Sequence, residues 1–285
     1  MFSPLTDELF KIAILEDIGS GDITSQLLVP ENLNAKAHII CKERIILAGI
    51  PFVKRFFYIL SSFFNLKHDK LQIEEYYGEG DFVDEGKVIA ELWGNARILV
   101  AGERIALNIL QRLSGIATLT ATFVKRIKDL NVKILDTRKT TPGLRAMEKY
   151  AVCVGGGYNH RFALYDAILI KDNHIKIVGS VSNALKMVKK SNIYQKIEIE
   201  VKNLEELKEA ILEGADIVML DNMDIETMKK AVKLAKGKVF LEASGGVTLD
   251  NVYEIASTGI DFISIGALTH SAKAVDISMK IKEIL

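Results

Sequence analysis

The stretch that decides the fold class is residues 196–224, KIEIEVKNLEELKEAILEGADIVMLDNMD. Each end carries a short apolar run of strand length. Between the runs, Asn203 can cap a helix with Leu207 and Ile211 on one face, and Gly214 can end it. The stretch therefore predicts a strand–helix–strand unit, in which the two strands run parallel.

The same rhythm extends from Val132 towards the C-terminus. Asp224 predicts a second capped helix, and Thr248 predicts a third that closes at Gly259. Six clear strands, with room for a seventh, favour an α/β barrel that is short of eight strands, and an open doubly wound sheet is the alternative. The runs read VKILDTRK, AILIKDNH, KIEIEVKN, IVMLDNMD, VFLEASGG and FISIGALT.

The first part of the chain has a less regular pattern, typical of an α+β domain. Its helical stretches are Leu5–Glu16, the apolar Phe52–Phe64 and Gly102–Asp129, which has a weak point at Gly115. Its strand-like stretches are 35–42, 71–77 and 88–93, and the glycine-flanked run 78–94 predicts a hairpin. A boundary near Ser114 divides the chain into an N-terminal α+β domain, residues 1–114, and a C-terminal α/β barrel, residues 115–285.

Composition excludes several classes of protein. The 285 residues carry 37 basic and 37 acidic side chains, so overall charge gives no reason to expect nucleic acid or an anionic membrane as a partner. The two cysteines, Cys41 and Cys153, match no metal-ligand spacing and predict reduced thiols. No secretory signal and no apolar run of about 20 residues is present, which predicts a cytoplasmic protein.

Charged and glycine-rich segments follow every predicted strand of the second domain. In a parallel α/β fold the carboxyl ends of the strands form the active site. Six such ends in a row are hard to explain as solvation alone. The segments are Asp136-Thr137-Arg138-Lys139, Lys171-Asp172-Asn173-His174, Glu198-Ile199-Glu200, Asp221-Asn222, Glu242-Ala243-Ser244-Gly245-Gly246 and Ser264-Ile265-Gly266-Ala267.

Basic side chains dominate the first two strand ends. Arg138, Lys139 and Lys171 follow strands directly, and such groups bind carboxylate and phosphate oxygens. Arg145 and Lys149 are four residues apart, so they could be a solvated helix face. His160 and Arg161 follow a triple glycine at 155–157, which is either a tight turn or backbone close to a ligand.

Carboxylates occupy the next two strand ends. The alternation in IEIEV points Glu198 and Glu200 into the barrel, where each needs a partner or a cation. An ion pair with Lys139 or Lys171 is the structural alternative. Glu200 and Asp221 lie on neighbouring strand ends beside a phosphate pocket, and such a carboxylate pair suits Mg²⁺.

The last two strand ends carry small residues. Ser244-Gly245-Gly246 runs towards the helix predicted at Thr248, and Gly266-Ala267 precedes another helical stretch. Loops of small residues before helices donate backbone N–H groups to phosphate. The residues alone therefore predict a pocket for an anionic, phosphate-bearing substrate.

These motifs resemble the quinolinate phosphoribosyltransferase family, also called carboxylating nicotinate-nucleotide pyrophosphorylases. The resemblance runs over almost the whole chain in order, with departures at Ala163 and at Cys153-Val154. The motifs are EDIGSGDIT, GERIALNILQRLSGIAT, DTRKTTPGLR, EKYAV with the triple glycine and NHR, LIKDNH, EIEV, MLDN, EASGG and ISIGALTHS.

The resemblance implies an N-terminal open-sandwich domain and a barrel of about seven strands. It implies a reaction, supported by Mg²⁺, in which phosphoribosyl pyrophosphate and quinolinate give nicotinate mononucleotide, pyrophosphate and CO₂ during NAD biosynthesis. It also implies a homodimer or higher homo-oligomer, in which Arg104 completes the neighbouring subunit's site.

The resemblance also implies roles for individual positions. Lys139, Lys171, Glu200 and Asp221 are expected to be catalytic, with Glu200 and Asp221 holding the metal. The quinolinate positions are Arg138, Lys139, His160, Arg161 and Lys171. The phosphoribosyl pyrophosphate positions are Glu200, Asp221, Ser244, Gly245, Gly246 and Gly266. Further substrate-binding residues are expected at Thr137, Ile265 and Ala267.

Two other functions remain alternatives. One is a paralogous phosphoribosyltransferase of the same fold, such as the molybdenum-operon protein that resembles this family, but the intact NHR and KDNH motifs favour the quinolinate enzyme. The other is a non-enzymatic barrel that binds phosphoribosyl pyrophosphate without releasing pyrophosphate. The many inward-facing charges argue against it.

Overall fold

A computed structural model describes residues 4–64, 71–191 and 194–285. Contacts divide the chain into two compact units: the first comprises Met1–Ala121, Thr140–Gly156 and Thr269–Leu285, and the second comprises Thr122–Lys139 and Gly157–Leu268. This grouping does not follow a single cut at residue 114, because the final strand returns to pair with the first. None of the helices in the described ranges is long and apolar enough to cross a bilayer.

The first unit is an antiparallel sheet with helices. Its helices are α1 (Pro4–Asp17), α2 (Ile23–Leu28), α3 (Ile50–Phe63), α4 (Ala96–Arg126, which ends in the second unit) and α5 (Arg145–Val154). Its strands are β1 (Asn34–Cys41), β2 (Ile45–Ile46), β3 (Gln72–Glu75), β4 (Phe82–Val83), β5 (Val88–Asn95) and β12 (Ile277–Ile284). The main sheet has the order β12-β1-β5-β3.

The core of this unit confirms the apolar patterns of the sequence. Alternate residues of β1 are buried, and the aromatic side chains of α3 at Phe52, Phe56 and Phe57 are fully buried. Such burial of aromatic surface is the main favourable contribution to folding of a sheet-on-helix layer.

The hairpin predicted at 78–94 is wrong. β4 pairs with β2, whereas β5 pairs with β1 and β3. The chain does turn between β4 and β5, but Gly86 donates its backbone N–H to the carbonyl of Cys41, at 2.9 Å. The partner of each strand is therefore distant in sequence, which local alternation does not reveal.

The weak point predicted at Gly115 is also wrong, because α4 is continuous. A Cβ at Gly115 would lie 2.0 Å from the carbonyl oxygen of Lys273, so the glycine allows a close backbone approach.

At the triple glycine, Gly156 has φ +87°, which makes a tight turn. A Cβ at Gly155 would lie 2.5 Å from the carbonyl oxygen of Ala117 in α4, so this backbone approaches a helix.

Lys149 is buried, which corrects its interpretation as part of a solvated face. Its neighbour Glu148 is fully buried too and accepts hydrogen bonds from Arg112 at 2.9 Å and from the hydroxyl of Thr141 at 2.8 Å. Buried charges of this kind are stable only when they are paired and hydrogen-bonded. α5 is therefore an internal helix of the first unit.

The second unit is a parallel sheet whose strand order identifies a barrel. Its strands are β6 (Lys133–Leu135), β7 (Ile168–Ile170), β8 (Ile197–Val201), β9 (Ile217–Asp221), β10 (Phe240–Ser244) and β11 (Phe262–Ser264). Each of β7 to β10 pairs with its successor in the chain, and β11 pairs with the first strand of the unit, β6. A doubly wound sheet would reverse its order at a switch point, so the open-sheet alternative is wrong.

A seventh parallel position lies beside β6, on the side away from β11. Tyr158 forms a parallel bridge with Leu135, through hydrogen bonds of 2.8 Å and 3.0 Å to the backbone of Ile134 and Asp136. The order is therefore Tyr158, β6, β11, β10, β9, β8 and β7. No pairing joins Tyr158 to β7 within the described ranges, so the barrel is incomplete, as predicted.

The helices of this unit are α6 (Asp172–Val178), α7 (Val181–Lys189), α8 (Leu204–Leu212), α9 (Ile225–Ala235), α10 (Val252–Ala256) and α11 (Ala267–His270). Asn203 and Asp224 cap α8 and α9 with their side chains, as predicted. The helix predicted from Thr248 begins only at Val252, because residues 249–251 form a turn.

Candidate active site

Two guanidinium groups interact at the edge formed by the carboxyl ends of β6 and the Tyr158 segment. Burial lowers the pKa of Arg161, and the positive charge of Arg138 lowers it further. Arg161 also donates to the carbonyl of Ala167, at 3.0 Å. Two like charges held in a partly desolvated place favour the binding of an anion between or beside them.

Thr137 and Lys139 lie on the same segment as Arg138. The backbone N–H of Lys139 donates to the hydroxyl of Thr137 at 3.1 Å, which turns the chain directly after β6. The side chain of Lys139 is exposed, whereas Arg138 is half-buried. The structure therefore places three predicted substrate-binding residues on one strand end.

Lys171 and Glu200 form an ion pair across the ends of β7 and β8. Lys171 Nζ lies 2.6 Å from Glu200 Oε1, with the lysine side chain 45% exposed and the glutamate side chain 13% exposed. The ion-pair alternative considered for Glu200 is thus present. The backbone N–H of Lys171 donates to Nδ1 of His174 at 2.9 Å, so His174 fixes the backbone that carries the Lys171 side chain.

A buried cluster of one histidine and two glutamates lies inside the barrel. His160 Nε2 is 2.9 Å from Glu198 Oε2 and 3.8 Å from Glu242 Oε2. The two glutamates are only 7% and 1% exposed. Burial and the charge of Glu198 raise the pKa of Glu242 to about 7, although the neighbouring His160 lowers it in part.

Glu200 and Asp221 offer oxygen ligands on neighbouring strands. Glu200 pairs in register with Met219, so Asp221 lies two residues further along β9 on the same face. Strand spacing and rise place their Cα atoms roughly 8 Å apart. Asp221 accepts a hydrogen bond from the Asn222 side chain at 2.9 Å, which orients its carboxylate.

The loop after β10 requires glycine at Gly245. Its φ is +98°, and a Cβ there would lie 2.1 Å from Oδ1 of Asn222. The backbone N–H of Asn222 donates to the carbonyl of Ser244 at 2.9 Å, which joins the ends of β9 and β10. Gly246 accepts from the side chain of Asn251 at 2.9 Å. The Ser244-Gly245-Gly246 loop is therefore held in one shape at the strand ends.

The loop after β11 lies at the same edge. Ile265 donates its backbone N–H to the carbonyl of Leu135 at 2.9 Å, which extends the pairing of β11 with β6. Gly266 follows, and α11 begins at Ala267. The structure thus brings all the predicted phosphoribosyl pyrophosphate positions to the carboxyl ends of β8 to β11.

Arg104 belongs to the first unit. It is exposed on α4 and lines a cavity of about 360 Å³ with apolar side chains of α1, including Phe10 and Ile12. Its predicted role in a neighbouring subunit's site stays a prediction.

Sequence reasoning missed several residues that the structure places among the predicted ones. They are Asp136, which is fully buried and accepts the backbone N–H of His160 at 2.9 Å, together with Glu242, Asn222 and His174. All four lie in strand-end segments noted in the sequence. The signal was therefore available, but their partners depend on the register between strands.

Comparison with known proteins agrees with the motifs. The family profile for the quinolinate phosphoribosyl transferase N-terminal domain matches residues 22–114, and that for the C-terminal domain matches residues 116–280. A probable carboxylating nicotinate-nucleotide pyrophosphorylase of Bacillus subtilis is 47% identical, over 94% of this chain and 90% of the relative. One from Methanocaldococcus jannaschii is 44% identical, over 96% of both chains.

Solved structures agree as well. The nicotinate-nucleotide pyrophosphorylase from Francisella tularensis superposes with a TM-score of 0.90 at 42% identity, covering 98% of this chain and 96% of that one. With matching profiles in both halves of the chain and relatives of this similarity, the protein belongs to the quinolinate phosphoribosyltransferase family.

Proposed function

We propose that the protein transfers the phosphoribosyl group of phosphoribosyl pyrophosphate to quinolinate and releases one carboxylate as CO₂. The products are nicotinate mononucleotide and pyrophosphate, so the enzyme acts in NAD biosynthesis. The observation that carries this proposal is the row of strand ends in the second unit, which is cationic at β6 and β7 and glycine-rich at β10 and β11.

The cationic end suits a pyridine dicarboxylate. Arg138 and Arg161 are adjacent guanidinium groups, and Lys139 and Lys171 carry exposed ammonium groups at the same edge. Guanidinium groups bind carboxylates in a bidentate manner, which fixes both the position and the orientation of a planar acid. We assign Thr137 and His160 to the same binding region.

The glycine-rich end suits phosphates. The loops Ser244-Gly245-Gly246 and Ile265-Gly266-Ala267 present backbone rather than bulky side chains at adjacent strand ends. Backbone N–H groups in such loops bind phosphate oxygens, and the last strands of a barrel commonly form this kind of site. α10 begins six residues after Gly246, so the loop itself, rather than a helix end, supports this assignment.

Glu200 and Asp221 fit Mg²⁺. They are hard oxygen donors on adjacent strands and on the same face, and Mg²⁺ prefers one or two carboxylates together with phosphate oxygens. When bound, the ion would neutralise charge on the departing pyrophosphate. Lys171 would orient Glu200 through their ion pair.

The chemistry then requires mainly positioning and charge stabilisation. The basic residues hold the ring so that its nitrogen faces the anomeric carbon, and pyrophosphate leaves as the N–C bond forms. The ring nitrogen becomes quaternary and withdraws electrons. The carboxylate next to it therefore leaves as CO₂, and a proton takes its place on the ring carbon.

We also propose a homodimer or higher homo-oligomer in which Arg104 reaches the partner's site. Support comes from the family resemblance and from the exposure of Arg104 on α4. A cytoplasmic location stays a prediction.

The direct test incubates purified protein with quinolinate, phosphoribosyl pyrophosphate and Mg²⁺ and measures nicotinate mononucleotide. We expect product only when all three are present. Lys139→Ala should abolish turnover in a correctly folded protein. Near-wild-type rates in that variant would contradict the role given to Lys139, and binding of phosphoribosyl pyrophosphate without turnover would favour a non-enzymatic barrel.

A further inference from the structure

His160 is held on three sides by protein groups. Its backbone N–H donates to Asp136 Oδ1 at 2.9 Å, and its ring nitrogen Nδ1 accepts the backbone N–H of Arg161 at 2.8 Å. Its other ring nitrogen, Nε2, lies 2.9 Å from Glu198 Oε2. The ring therefore connects the buried carboxylates with the turn that carries Arg161.

These contacts determine where the ring proton lies. A nitrogen that accepts a hydrogen bond has no proton, so Nδ1 is unprotonated and Nε2 carries the proton. An N–H at Nε2 is attracted to Glu198 and Glu242. A lone pair at that position would instead be repelled by the carboxylate of Glu198, so Glu198 favours the same tautomer.

A bound metal ion does not explain this arrangement as well. One ligand atom each from His160, Glu198 and Glu242 lies within 4.8 Å of the others, which is close enough for a cation. A metal on Nε2 would require a proton on Nδ1, because a neutral imidazole binds metal through only one nitrogen and keeps a proton on the other. Nδ1 could then no longer accept the N–H of Arg161.

We propose that Glu198 is a positioning residue that fixes the Nε2–H tautomer of His160, so that Nδ1 holds the backbone of Arg161 in place. This inference rests on the proposed quinolinate site, and it refines it. His160 then contributes to quinolinate binding through Arg161 rather than by touching the substrate. Asp136 completes the arrangement by fixing the backbone of His160.

Nitrogen-15 NMR of the protein without substrate tests the tautomer directly. The signal of His160 can be assigned among the five histidines by its loss in a His160 variant. We expect an unprotonated Nδ1 and a protonated Nε2. A protonated Nδ1, in either the other tautomer or the imidazolium ion, would overturn the proposal. This measurement needs no turnover, so it remains valid if quinolinate is not the substrate.

Two replacements of His160 separate indirect from direct action. The amide oxygen of His160→Asn can take the place of Nδ1, whereas the amide of His160→Gln reaches only the place of Nε2. We expect His160→Gln to raise the KM for quinolinate roughly tenfold more than His160→Asn does, since the backbone N–H of Arg161 then loses its acceptor. The KM for phosphoribosyl pyrophosphate should change little in both. If His160→Gln binds quinolinate as well as or better than His160→Asn, the proposal is wrong.

Glu198→Gln tests the carboxylate. Loss of its charge should increase the population of the Nδ1–H tautomer and raise the KM for quinolinate, while Glu254→Gln, a change at an exposed glutamate of α10, should alter neither. If Glu198→Gln folds and leaves both the tautomer and the KM at their wild-type values, Glu198 does not position His160. NMR of the wild-type protein still decides the tautomer if the variants fail to fold.

Discussion

Replacing Glu242 by glutamine should stabilise the protein at alkaline pH and leave its stability almost unchanged in acid. Glu242 is 1% exposed, and burial with the charge of Glu198 raises its pKa to about 7. The folded state therefore binds a proton more tightly than the unfolded state does. The stability that Glu242 contributes to the free energy of unfolding is therefore present below about pH 4.5. It falls as pH rises to about 7 and is lost above that range.

The pKa shift sets the size of this effect. The pKa of Glu242 rises from its ordinary value of 4.5 to about 7. At about 1.4 kcal/mol per unit, the wild type should lose about 3 kcal/mol of stability relative to Glu242→Gln across the range. Glutamine keeps the shape of a protonated glutamate and cannot ionise, so the variant should not show this loss.

Urea unfolding of wild type and Glu242→Gln between about pH 5 and pH 8 measures the difference. Glu254→Gln is the matched control, because its glutamate is exposed on α10. A difference between wild type and Glu242→Gln that is the same at both pH values would refute the account of Glu242 as a carboxyl group that is protonated in the folded barrel.

Three further predictions concern the proposed site. Lys171→Ala should reduce kcat/KM about 100-fold or more, because it removes a positioned charge at the strand ends. The control Lys202→Ala, at an exposed ion pair, should keep a kcat/KM near that of the wild type, and equal kcat/KM values in the two variants would contradict the role of Lys171. Gly245→Ala should raise the KM for phosphoribosyl pyrophosphate about tenfold or more through a steric clash, and an unchanged KM would argue against this loop as the phosphate site. Mixing inactive Arg104→Ala protein with inactive Lys139→Ala protein should restore activity, because a mixed dimer contains one intact site. If the subunits are shown to exchange and no activity returns, a site shared between subunits is contradicted.

The sequence predicts the barrel well because its signals are local. The caps at Asn203 and Asp224 and the apolar runs of β7 to β11 each depend on neighbouring residues only. Alternation in β8 also predicts that Glu198 and Glu200 point inward, and the structure confirms this through their contacts with His160 and Lys171.

The errors arise where a partner is distant in sequence. β4 pairs with β2 rather than with β5, and no local pattern distinguishes these pairings. Gly115 looks like a helix breaker until the carbonyl of Lys273 is seen beside it. Lys149 has helical spacing from Arg145, which suggested a shared solvated face, yet it is buried in the first unit.

In the candidate site, too, the local signals were predictable and the contacts between residues distant in sequence were not. Strand-end charges such as Arg138 and Lys171 can be identified from the sequence, because parallel strands place their carboxyl ends on one edge. The buried contact of His160 with Glu242 could not be predicted, because it depends on which strands are neighbours and in what register. Local chemistry was therefore predictable, and the arrangement that supports it was not.

The central claim is that this strand-end pocket couples phosphoribosyl transfer to decarboxylation. The most direct measurement follows quinolinate labelled with carbon-14 in the carboxylate next to the ring nitrogen, together with pyrophosphate release. We predict that labelled CO₂, pyrophosphate and nicotinate mononucleotide appear in equal amounts, and only when phosphoribosyl pyrophosphate is present. Pyrophosphate release without labelled CO₂, or no turnover of quinolinate by the folded enzyme, would contradict the claim.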